Sequence, residues 1–165
     1  MPEPVLTAAE LLAWNESTAQ HWRKLIDQHP DILALECDIY GVKTVAQLLQ
    51  HMVAVETRYA QRLAGVAETP YDAIPCATAA DIFDAHEIAM QGFRAELAKD
   101  GDWGRSMEFQ TLSMGRMRAS RKTILFHALL HGIRHYAQLA TLVRRHGFRP
   151  AFHMDYLMMG VEPVG

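Results

Sequence analysis

His127, His131 and His135 follow one another at four-residue intervals inside the stretch Ser120 to Gly147, and imidazoles at that spacing can act together. Residues four apart on a helix differ by about 40° in azimuth, so His131 and His135 stand one above the other and can share one metal ion. Projected at about 100° per residue, Ile124, Ala128, His131, His135, Leu139 and Leu142 fall in one stripe. The pair therefore points where the leucines point, toward a core. His127 falls with Arg134, Gln138 and Arg145 on the more polar flank, which sets it apart from the pair. Two readings of the pair are open: separately hydrogen-bonded core histidines, or two ligands of one ion. Both nitrogens of a buried imidazole need partners, and a shared ion supplies one to each ring, so the stacked pair favours the ion.

The element that carries them is well signalled as a helix. Ser120 is an N-cap residue, no proline interrupts the run, Arg144, Arg145 and His146 suit the negative end of a helix, and Gly147 suits the residue after it. Three further helical patterns precede it. Thr7 and Glu10 form a capping box, after which Leu11, Trp14, Thr18, Trp22 and Leu25 recur at three- and four-residue steps until Pro30. Thr44 caps a second helix, with Val45, Leu48, Met52, Val55, Tyr59 and Leu63 in register, and Gly65 closes it. His51 sits at the edge of that stripe, within reach of the interior. Thr78 caps a third helix, in which His86 lies among Ile82, Ala89, Met90, Phe93 and Leu97 and reads as a core histidine with a single hydrogen-bond partner. Residues 30–43 form a connector apolar enough to lie on the core. Residues 100–119 form a long connection whose second half alternates like a short hairpin and could lie across an opening between the helices. The tail after Gly147 is expected to dock Phe152, Tyr156 and Leu157, leaving His153 and Asp155 at the surface.

Composition limits the class. A chain of 165 residues, half of them hydrophobic, fits one domain over residues 1–165 with a substantial core. Its formal charge of −3 offers no basic footprint for nucleic acid. The start, MPEPVLTAAELL, lacks the basic lead and apolar run of a signal peptide, and no run of about 18 apolar residues exists, so a cytoplasmic protein without a membrane span is expected. Cys37 and Cys76 are far apart and form no CxxC, so a metal would rest on nitrogen and oxygen ligands.

Three segments, LLQHMVAVETRYAQRLAG, HALLHGIRHYAQL and HGFRPAFHMDYL, resemble the DinB-like (damage-inducible, YfiT-like) proteins, and the likeness spans almost the whole chain. The resemblance implies an all-α four-helix bundle of up-down-down-up topology and a metal held by one histidine of the second helix and an HxxxH pair of the fourth. The matching positions are His51, His131 and His135, with Gln138 also matching; Arg134, Tyr136 and Ala137 stand where histidine, arginine and glycine are common. The resembled proteins include thiol-dependent S-transferases and a mycothiol-dependent maleylpyruvate isomerase.

A set of three imidazoles leaves a coordination position open for water or substrate. It suits zinc, nickel, iron(II) or copper, and such a metal can acidify bound water or bind a thiol as thiolate. Arg58 and Arg62 follow His51 on the same side of the second helix and are the candidate residues for an anionic, low-molecular-weight thiol cofactor or a small-molecule substrate, unless they are simply its solvated edge. The expected protein is a metal-dependent thiol transferase or hydrolase; the alternative is a non-catalytic, stress-associated bundle that binds metal or a small ligand. Metal binding should weaken as pH falls through about 6, the range of free imidazole. Leu125, Leu129, Ile133, Tyr136 and Val143 make the fourth helix more apolar than one layer needs, so a homodimer is expected.

Overall fold

Three threonines and a serine begin the four long helices. Thr7 Oγ1 accepts from the backbone of Glu10 and Glu10 returns the bond, opening α1 (Ala8–Gln28). Thr44, Thr78 and Ser120 cap α2 (Val45–Ala64), α3 (Ala79–Leu97) and α4 (Arg121–Arg145), each side-chain oxygen accepting from an amide that the first turn leaves without a partner, and Asp81 completes a second capping box with Thr78. The stops follow the sequence too. Pro30 starts a separate 3₁₀ turn after α1, and Gly65 ends α2 in the left-handed region at φ 72°, where only glycine escapes a Cβ penalty. The computed structural model describes residues 4–111 and 113–164.

The hairpin expectation holds: β1 (Ser106–Gln110) pairs antiparallel with β2 (Arg116–Ser120), Phe109 opposite Met117. Thr111 and Gly115, at φ 73°, close its turn, and Leu112 of the expected hairpin lies outside the described residues. The chain is thus mostly helical, with four helices and a small two-stranded sheet. α1 and α2 each pack on both α3 and α4, and β2 leans on α4. Among the described residues no helix is long and apolar enough to cross a membrane.

Neighbours on several sides explain why α4 is so apolar. Of the five residues on which the expectation of a dimer rested, Leu125, Leu129, Tyr136 and Val143 are buried within this one chain and Ile133 is half-buried, so they form no wide spare face. The connector behaves as expected, burying Ile32, Leu33 and Cys37. The tail docks only in part. Phe152 packs edge-on against Trp22, and Trp14 Nε1 donates to the carbonyl of Met154 at 2.8 Å, but the turn Tyr156–Met159 leaves Leu157 70% exposed.

The core divides in two. One cluster gathers Trp22, Ile26, Leu48, Met52, Phe83, Tyr136 and Leu139; the other gathers Leu11, Leu63, Met90, Phe93, Leu125 and Leu129. On each helix a polar or side-chain-free residue falls between the two sets: Asn15, Glu56, His86 and Gly132. His86 Nδ1 bonds Glu56 Oε2 at 2.8 Å, both side chains at most 3% exposed. Burial alone would lower the pKa of His86, but the charge of Glu56 and its hydrogen bond outweigh burial and leave it raised. This layer is an ion pair surrounded by apolar packing, not a solvated channel.

Candidate metal centre

Two helices bring the three matched histidines together. His51 on α2 and the pair His131 and His135 on α4 converge through Nε2: His51 to His131 at 3.0 Å, and His135 to His131 at 3.1 Å. Their ligating atoms all lie within 4.8 Å of one another. Bonds of about 2.0–2.1 Å at tetrahedral angles set nitrogens about 3.3 Å apart, so small ring movements fit these three to one ion. The donor set passes a second test at His135. Its Nδ1 lies 2.7 Å from Gln138 Oε1, and a proton held there leaves the Nε2 lone pair facing the other two rings. Nδ1 of His131 is buried and has no hydrogen-bond partner among the described residues, so its ring lacks the outer bond that His135 has.

Packing also keeps the rings neutral. Burial, then the neighbouring His135 and Arg134, push His51 down to about 4; burial, then His135 and His51 among its neighbours, push His131 down to about 2. His135 is lowered as well, burial outweighing the bond that its Nδ1 donates to Gln138. Neutral imidazole is the ligand form. The ring of His51 stacks on Tyr40 at 4.5 Å between centroids. Tyr40 is held at φ 56°, a left-handed conformation that costs a non-glycine residue about 1–2 kcal/mol, and it is 65% exposed, so this stacking is a contact it visibly keeps.

A cavity of about 290 Å³ opens beside the histidines, the lower end of the size range of small-molecule sites. His51, His131, Tyr40, Tyr71 and Arg134 line it, and the hairpin tip covers one side with Gln110, Thr111, Ser113 and Met114. The long connection therefore does lie across an opening between the helices. His127 lines the cavity too, its ring centroid 5.5 Å from that of His131, but it stands outside the converging set, as its polar flank implied. Its pKa is lowered, first by burial and then by Arg134.

Arg58 and Arg62 reach the same cavity wall, yet neither is the solvated edge of a helix. Arg62 bonds Glu68 through Nε at 2.7 Å and Nη2 at 2.9 Å, and its guanidinium lies 4.6 Å from the Tyr59 ring centroid and 4.2 Å from that of Phe109. It clamps the hairpin to α2. Arg58 pairs with the same Glu68 at 2.9 Å and donates to the carbonyl of Thr69 at 2.9 Å. His86 faces Glu56 in the core, and His153 and Asp155 are exposed on the tail, so none of these joins the histidine set. Nothing in the sequence pattern pointed to Tyr40 or Tyr71 as site residues, and the hairpin was expected across an opening without its tip residues being singled out. Each comes from an irregular segment whose position depends on tertiary contacts, and only the Tyr40-Gly41 pair, a turn signal, hinted at an unusual backbone.

A search of curated proteins found no match to this chain. Residues 1–159 match the DinB family, nearly the whole length over which the helices, the hairpin and the three converging histidines are laid out, and the chain belongs to that family.

Proposed function

We propose that the protein holds one divalent transition metal on His51, His131 and His135 and is a metal-dependent enzyme acting on a small molecule, as a thiol-dependent S-transferase or a hydrolase. The convergence of three Nε2 atoms beside a cavity carries this reading. The helix adjacency, with α1 and α2 each touching both α3 and α4, supports the finer fold reading, an up-down-down-up four-helix bundle.

When bound, zinc, nickel or iron(II) would acidify a water or take a thiol as thiolate at the position that three protein ligands leave open. The chain's own residues do the rest. Gln138 orients His135 through Nδ1, and Tyr40 holds His51 against rotation by stacking on its ring. The hairpin tip narrows solvent access. His127, neutral at physiological pH because burial and Arg134 lower its pKa, takes a proton on a ring nitrogen from a water or thiol entering the cavity. Glu56 cannot serve as that base, since it is buried against His86.

Elemental analysis of untagged protein, followed by a screen of low-molecular-weight thiols for turnover, tests the reading. About one zinc, nickel or iron per chain is expected. Protein that stays metal-free after incubation with zinc and nickel overturns it. The non-catalytic reading, a bundle that binds metal or ligand, rests on the absence of any carboxylate from the described cavity wall; metal uptake with no thiol or ester turnover would select it.

A further inference from the structure

We propose that the cavity takes a small organic anion, carrying a carboxylate or phosphate group, and that Arg134 is the residue that selects it. This extends the metal-centre reading above and names the chemistry of its substrate.

The charge of the wall is the first observation. Arg58, Arg62 and Arg134 line the cavity with His51, His127 and His131, and no described lining residue is acidic. Arg58 and Arg62 share the single carboxylate of Glu68, so that trio already carries one net positive charge. Arg134 makes none of the ion pairs found among the described residues. Its hydrogen bond runs instead from Nη2 to Nε2 of His135, at 3.3 Å.

The placement of that guanidinium is the second observation. It reaches Nε2 of His135, one of the three converging ring atoms, and its charge lowers the pKa of His51, His127, His131 and His135 alike. A lone pair given to a metal is no longer available to Arg134, so a metal on His135 releases the arginine's donors toward the cavity. A guanidinium beside a divalent cation repels it, and an anion seated between the two relieves that repulsion while accepting the fork of N–H donors. Arg134 is exposed, and apart from its one long hydrogen bond to His135 it gains little from lying beside four imidazoles. An arginine that must meet an anion at a metal gains from every part of this geometry.

The full chain, metal-free and loaded with zinc, would be titrated calorimetrically with succinate, with inorganic phosphate and with neutral succinamide. Arg134→Ala and Arg134→Lys would be compared with the unmodified protein. One anion is expected to bind at least about tenfold more tightly than succinamide, and Arg134→Ala should lose that preference, because a hydrogen bond to a charged group is commonly worth that factor or more. Arg134→Lys keeps the charge without the fork and should fall between them. The succinate and phosphate arms separate a carboxylate from a phosphate ligand. Succinamide binding, the melting temperature and zinc uptake should be unchanged or, for zinc, improved in Arg134→Ala, which a merely structural arginine would not predict. Equal anion binding by Arg134→Ala and the unmodified protein, or no preference of the unmodified protein for either anion over succinamide, overturns the proposal. Failure to load zinc would sink the metal reading alone: in the metal-free chain His135 engages one N–H of Arg134, and the donors that remain still decide its role in the titration of that chain.

Discussion

At the scale of single residues, three rings and their immediate partners decide whether a metal is held. His51→Ala, His131→Ala and His135→Ala should each abolish the rise in melting temperature produced by added zinc, because each removes one of the three ligands that converge among the described residues. His127→Ala should keep that rise. Gln138→Leu keeps all three ligands but frees the ring of His135, and a loss of about 10–100-fold in zinc affinity is expected from competition titrations with a chelator. The pH dependence follows from burial. With His51 at about 4 and His131 at about 2, the folded chain binds fewer protons than the unfolded one between about 6.5 and 4, so metal-free stability falls as pH drops through that window. Proton competition with zinc moves down with it: the zinc-dependent shift should survive at about pH 6, where free imidazole would already be titrating, and fade toward pH 4. A zinc effect lost by pH 6 in thermal melts would show that the rings titrate like solvated histidines. His86 has the opposite sign. Its pKa is raised, so its contribution is complete below about 6.5 and declines as pH rises through the folded value.

Between whole helices, the polar layer is what α1, α2, α3 and α4 have in common. A Cβ on Gly132 would stand 2.9 Å from Asn15 Oδ1 and 3.2 Å from Glu56 Oε1, and neither can retreat freely in a packed interior. Gly132→Ala should therefore destabilise by about 1–3 kcal/mol despite the better helix propensity of alanine. Urea unfolding would read it, and a variant as stable as the parent would show that the layer has room. Glu56→Ala leaves a buried imidazole whose raised pKa depended on that carboxylate, and a loss of about 3–5 kcal/mol is expected for breaking a buried pair from one side. His86→Ala should lower stability as well but leave the zinc-dependent shift intact, because His86 lies in this layer and not among the converging rings. That difference separates a folding role from a ligand role on one thermogram.

For the molecule as a whole, the open matter is how many chains assemble. Four of the five apolar residues of α4 that suggested a partner are buried within the chain, so a homodimer is now a proposal resting on the exposed Leu157, Met158 and Val161 of the tail. Light scattering at micromolar concentration should give twice the 18.6 kDa chain mass, and Leu157→Glu should shift it to the single-chain value without changing zinc uptake. A single-chain species in the unmodified protein would leave the tail a monomer surface.

The local signals in the sequence were strong because they depend on neighbours a turn away. Caps at Thr7, Thr44, Thr78 and Ser120, the stop at Gly65 and the inward stack of His131 on His135 are set by helix geometry, which composition and spacing express directly. His51 was legible only through likeness to a family, since nothing within its own helix says which other helix it will face. The partner of His86 was hidden for the same reason: Glu56 lies thirty positions away, and its pairing exists only once α2 and α3 are packed. Tertiary structure also decided the fate of the cations. Arg58 and Arg62 were candidates for an anionic ligand, with a solvated edge as the alternative; folding brings Glu68 onto both, while Arg134, assigned to a polar flank, lies against His135 and has no ion pair among the described residues. Charge in a sequence is a list of side chains, but charge in a cavity is what remains after each has found its partner, and that pairing is made only by the fold.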